Sequence, residues 1–140
     1  MAFVDEMREL RQGDPLSPFL IILVADVMGR IFEIAKLNNM IEGFKVGREG
    51  VHITHLQYAD DSLLFVKNTK ESATKAMQLV RVFCMISGLK LNMDKCSLLG
   101  INVPDEEVLQ VAEGIECQVG AWPMKYLRMP IGGSPMDTDF

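Results

Sequence analysis

The period of the hydrophobic positions changes several times along the chain, and each change marks an element. After Ser17-Pro18, apolar residues recur at Leu20, Leu23, Val24, Val27, Ile31, Ile34 and Ala35, the spacing of one helix face. Phe19, Ile21, Ile22 and Met28 widen the stripe, which predicts a helix buried on more than one side. Ser17 reads as its N-cap, with Pro18 at the first helical position, where a missing N–H costs nothing. The helix is expected to stop near Asn38-Asn39. A second helix is predicted over Thr69 to Ser87, capped by Asn68 or Thr69. Its inner face carries Ala73, Ala76, Met77, Val80, Phe83, Cys84 and Ser87, and Gly88 supplies a left-handed stop.

Between the helices the period shortens. Gly43, Gly47 and Gly50 punctuate β-branched pieces, and Val51-His52-Ile53-Thr54 alternates as a strand does. Leu63-Leu64-Phe65-Val66 reads as a short strand covered on both faces. Tyr58-Ala59-Asp60-Asp61-Ser62 lies between these two, and its acids are poor strand formers at a place that must turn. Beyond the second helix, Leu89-Lys90-Leu91-Asn92 alternates briefly, and Cys96 to Val103 predicts another strand. Pro104-Asp105-Glu106-Glu107 opens a short helix with its acids at the favourable end of the dipole. Trp122 to Gly133 is a strand-and-turn segment rich in Pro and Gly. These elements predict an α+β unit.

Composition narrows the class. At 140 residues, 49% apolar and 24% charged, the chain is of globular type. The longest apolar run, Phe19 to Ala25, falls far short of the ~20 residues of a membrane helix. The acidic start Met1-Ala2-Phe3-Val4-Asp5-Glu6 has no apolar core of a secretory signal. Residues 1–100 carry 12 basic and 12 acidic side chains, whereas residues 101–140 carry 2 and 7, so the net charge of −5 belongs to the last part. No basic face for gripping a polyanion stands out. Cys84, Cys96 and Cys117 are widely spaced and form no C-x-x-C pair, which argues for reduced, buried thiols in an intracellular protein rather than zinc or disulfides.

Asp60-Asp61 carries the sharpest chemistry. Adjacent carboxylates at the tip of an apolar hairpin offer the hard oxygen donors that Mg²⁺ takes, usually alongside water and substrate phosphates. A pair of such ions serves in-line phosphoryl displacement. The same dipeptide also suits a solvated turn in which aspartate caps backbone amides. His52 and His55 fall on opposite sides of a regular strand, against a shared metal role.

Four motifs in order make the chain recognisable: Arg11-Gln12-Gly13-Asp14-Pro15-Leu16-Ser17-Pro18; His55-Leu56-Gln57-Tyr58-Ala59-Asp60-Asp61; Ser87-Gly88-Leu89-Lys90-Leu91-Asn92 with Lys95; and Tyr126-Leu127-Arg128-Met129-Pro130-Ile131-Gly132. Together they resemble the reverse transcriptase of non-LTR, LINE-type retrotransposons, the plant version above all, over roughly residues 8 to 135. The resemblance implies a polymerase palm-like fold, an antiparallel sheet packed on two main helices. It reads residues 1–140 as a partial reverse transcriptase domain, with fingers and first palm strand missing and 104–140 running toward the thumb. Asp60 and Asp61 would be the metal-binding catalytic acids, with Mg²⁺ (or Mn²⁺) as cofactor. Tyr58 and Ala59 would lie against the primer end or incoming nucleotide. Gln12 and Gly13 would sit by the nascent base pair and template backbone, and Lys95 near the triphosphate. RNA template, DNA primer and dNTP are the implied partners, and the nucleus the implied location.

Three departures stand beside the resemblance, one of them Glu9, where the family commonly has Gly. The family's further aspartate lies on a strand before the Arg-Gln-Gly-Asp motif, and Asp5 is no match for it. Arg128 stands where the family usually has Gly. The chain by itself is therefore expected not to polymerise. The alternative is a non-catalytic palm-fold remnant or nucleic-acid-binding module.

Overall fold

The computed structural model describes residues 15–58 and 61–132. Three α-helices and four two-stranded ladders make a mixed α+β structure. In chain order they are α1 (Ser17–Leu37), β1 (Phe44–Val46), β2 (Val51–Ile53), β3 (His55–Tyr58), β4 (Asp61–Leu64), α2 (Lys70–Ser87), β5 (Ser97–Leu98), α3 (Asp105–Ile115), β6 (Gln118–Val119), β7 (Met124–Tyr126) and β8 (Met129–Ile131). A 3₁₀ turn at Met93–Lys95 precedes β5. The strands pair as β1–β2, β3–β4 and β7–β8, all antiparallel, and as β5–β6, which is parallel. The described strands thus form separate ladders where one continuous sheet was expected.

Helix α1 ends as its sequence predicts. The Asn38 side-chain amide donates to the Ile34 carbonyl at 2.8 Å, and Asn39 takes φ 54°, which asparagine tolerates better than most residues. Its beginning differs. Leu16 is already helical (φ −82°, ψ −23°), so Ser17 is the first helical residue and not the cap, and its Oγ is buried with no hydrogen-bond partner. Burial on more than one side is also overturned. Only Met28, Phe32 and Ala35 are buried, while Phe19, Leu20, Ile21, Ile22 and Leu23 are exposed. The inner stripe of the C-terminal half meets α2 and β3, and that contact is what removes it from water.

Met28, Phe32, Ala35, Ile41, Val80 and Phe83 form the main core, with Leu64 and Leu91 packed at its margin. Helix α2 matches its sequence reading. Thr69 caps it by accepting from the Ser72 amide at 3.2 Å, and Gly88 at φ 74° stops it. Its Ala73 and Ala76 are small enough to let α3 approach, and α3 buries Val108, Ala112 and Ile115.

Three strand readings need correction. β4 starts at Asp61, earlier than expected, and is half-buried only over Leu63-Leu64. Leu89 to Asn92 forms no strand, because the chain turns straight from Gly88 into the 3₁₀ turn capped by Asn92. Of Cys96 to Val103 only Ser97–Leu98 is strand, since Asn102 at φ 55° and Pro104 bend the chain toward α3.

Candidate active site

The β3–β4 hairpin carries the acidic motif. Its register pairs His55 with Leu64, Leu56 with Leu63, Gln57 with Ser62 and Tyr58 with Asp61. The Phe65 amide donates to the Thr54 carbonyl at 2.8 Å, which closes the base of the hairpin. Ala59 and Asp60 link Tyr58 to Asp61 and lie outside the described residues. Tyr58 and Asp61 are both exposed at the open end, Tyr58 at 64%. Among the described residues, no side-chain hydrogen bond or ion pair is made to the Asp61 carboxylate.

Helix α1 holds the hairpin at its foot and again beside Asp61. The Phe32 ring packs on the His55 ring with centroids 5.2 Å apart, and the Ser62 hydroxyl points at the Met28 sulfur at 3.9 Å. Gly29 faces the same ring, and a Cβ there would sit in ordinary contact with His55 Nε2 at 3.7 Å. Burial lowers the His55 pKa, and Thr54 Oγ1 lies 3.1 Å from its Nδ1. Chain order alone did not reveal this brace: His55 is the packing histidine of the hairpin, and its signal was its place at the foot of an apolar strand. His52 lies on a different ladder, β2, and is exposed. No group of three or more metal-ligating side chains forms among the described residues.

The remaining predicted site residues are Gln12, Gly13 and Lys95. Gln12 and Gly13 lie outside the described residues. Lys95 is exposed at the end of the 3₁₀ turn, and no hydrogen bond or ion pair joins it to Asp61. Its motif works locally as a helix stop: Ser87 Oγ donates to the Phe83 carbonyl at 2.8 Å, and the Gly88 amide donates to Cys84 at 2.9 Å. The last motif is the β7–β8 hairpin. Its two connecting residues, Leu127 and Arg128, are both left-handed at φ 52° and 67°. The Trp122 ring lies over Gly132, where a Cβ would collide with it, and its indole N–H donates to the Gly100 carbonyl at 2.6 Å.

Comparison with known proteins decides the family. The profile of reverse transcriptase (RNA-dependent DNA polymerase) matches residues 3–131. The chain belongs to the reverse transcriptase family. It is 35% identical over 124 residues to a retrovirus-related Pol polyprotein from the type-2 retrotransposable element R2DM of Drosophila melanogaster, covering 86% of this chain and 11% of that protein. It is 41% identical over 59 residues to an uncharacterized mitochondrial protein of Arabidopsis thaliana, covering 42% of this chain and 48% of that one. The chain thus spans about half of one relative and about a ninth of the other. No solved structure matches.

Members of the reverse transcriptase family work with divalent metal ions, nucleotides and a nucleic-acid template. The donor chemistry at the hairpin fits a hard divalent cation in part. Asp61 is an exposed carboxylate with no cation or donor among the described residues upon it, and its oxygens are of the hard type that a divalent ion takes. No described helix is long and apolar enough to cross a membrane.

Proposed function

We propose that this reverse transcriptase-family chain is the palm portion of an RNA-directed DNA polymerase of a non-LTR retrotransposon, with its metal site at the tip of the β3–β4 hairpin. One observation carries the reading. The Tyr58–Asp61 pairing leaves the exposed Asp61 carboxylate at the turn end of a hairpin held on α1 by Phe32 against His55 at its foot and by Met28 against Ser62 beside Asp61. A rigid strand end presents acids more accurately than a loop does.

In this reading Asp60 and Asp61 hold Mg²⁺ or Mn²⁺. The ion, when bound, supplies charge stabilisation to a nucleotidyl transfer between a primer end and a dNTP on an RNA template. Tyr58 offers an exposed aromatic surface beside the acids for the primer end or incoming nucleotide, with Ala59 giving a small residue at the turn. Gln12 and Gly13 approach the template side, where glycine leaves room for a backbone. Lys95 provides a cation for the triphosphate, and reaches it only with the remainder of the polymerase in place. Residues 104–132 form the side toward the thumb.

The test is Mn²⁺ binding, followed by electron paramagnetic resonance, for the wild type and for Asp60→Asn/Asp61→Asn. Weak binding that disappears in the double variant is expected. Unchanged affinity in a variant with native circular dichroism refutes the assigned site.

A further inference from the structure

We propose that Cys96 and Cys117 are a paired redox-modification site, closing to a disulfide when challenged by a small-molecule disulfide such as oxidised glutathione, with Cys84 left as a free thiol. The three cysteines are far apart in sequence, and all are free and half-buried. The fold brings two of them into adjacent register. β5 and β6 run parallel, pairing Ser97 with Gln118 and Leu98 with Val119, so Cys96 and Cys117 occupy the preceding step on neighbouring strands. The Gln118 amide donates to the Cys96 carbonyl at 3.3 Å, and the Gly120 amide to the Leu98 carbonyl at 2.9 Å, which fixes that register from the cysteine pair onward.

Paired residues on neighbouring strands project from the same face, with the strands roughly 4.8 Å apart. A disulfide joins Cα atoms roughly 4.4–6.8 Å apart, so the backbone already meets its main requirement. Cys96 is electrostatically coupled both to Cys117 and to Cys84, so the choice of partner rests on the strand register. Burial raises the Cys117 pKa, and Cys96 raises it further; burial raises that of Cys96, and Cys84 adds to it. Cys84 stands on the last turn of α2, outside the ladder, and no strand register holds it beside either partner.

The chemistry balances as thiol–disulfide exchange. One cysteine thiolate attacks a sulfur of the small disulfide, expelling one small thiolate and leaving a mixed disulfide. The second thiolate attacks the protein sulfur of that intermediate and expels the other small thiolate. The protein gives up two electrons and two protons, and the oxidant leaves as two thiols. Raised thiol pKa values make this exchange slow at neutral pH and faster in mild alkali.

The test incubates the folded chain with oxidised glutathione in mild alkali and maps disulfide-linked peptides without reduction. A linked pair containing Cys96 and Cys117 is expected in wild type and in Cys84→Ser. Cys96→Ser and Cys117→Ser should lack it and retain one glutathionyl group on the remaining partner. The linked protein should melt roughly 10 °C higher, reversibly with reductant, because the cross-link closes a loop in the unfolded chain. A cross-link through Cys84, mixed disulfides alone in the wild type, unreacted thiols, or a linked form that melts no higher than the reduced one would each overturn the proposal.

Discussion

Replacing Arg128 by glycine should stabilise this protein. Arg128 closes the β7–β8 hairpin at φ 67°, directly after Leu127 at φ 52°. Two consecutive left-handed residues are what a two-residue hairpin turn of matching twist requires, and Asn-Gly is its favoured sequence. A residue with a Cβ pays about 1–2 kcal/mol to sit there, from the clash of Cβ with the following carbonyl. Glycine pays none of this but loses more chain entropy on folding, roughly 0.5–1 kcal/mol. The Arg128 side chain is exposed and has no ion pair among the described residues, so little contact energy is lost with it. The net gain is about 0.5–1 kcal/mol, or an upward shift in melting temperature of roughly 2–5 °C. Trp122 ties the hairpin to the body through Gly100, so the gain registers in the global transition. Thermal and urea melts of wild type, Arg128→Gly and Arg128→Ala check it. Alanine keeps the Cβ and should leave stability near that of wild type. A destabilised glycine variant, or an alanine variant that gains as much as glycine, refutes the backbone argument.

Two further outcomes follow from the brace between α1 and the hairpin. Phe32 is 1% exposed and joins the core to His55, so Phe32→Ala should cost roughly 3–5 kcal/mol in urea unfolding. A loss below about 1 kcal/mol shows that the ring is not packed there. Burial holds folded His55 below its ordinary pKa of 6.5, so the unfolded chain takes up the proton first. The stability contributed by neutral His55 is complete above pH 6.5 and is lost as the pH falls below it. An imidazole NMR titration of the folded protein should give His55 a midpoint under 6.5, and a midpoint at or above that value refutes the packing assignment.

The sequence by itself determined what depends on near neighbours. Thr69 and Gly88 bound α2, Asn38-Asn39 end α1, and acids after Pro104 start α3, because caps and stops act within one helical turn. It also placed two acids between two apolar strands, and four ordered motifs were enough to point to the reverse transcriptase family. Tertiary structure decided the rest. Periodicity marked an apolar helix at residues 19–35 but could not say which stretch of it would find partners, and among the described residues the packed part runs from Val24 onward, fully buried only at Met28, Phe32 and Ala35. His55 became a brace because α1 crosses the foot of its strand. Cys96 and Cys117 became neighbours because two short segments pair in parallel across α3, a contact that no local pattern encodes. Arg128 reads as an ordinary exposed residue until the hairpin forces it left-handed. The physical divide is range: backbone caps and side-chain period are settled within about four residues, whereas burial and strand pairing wait on segments brought together by the whole chain.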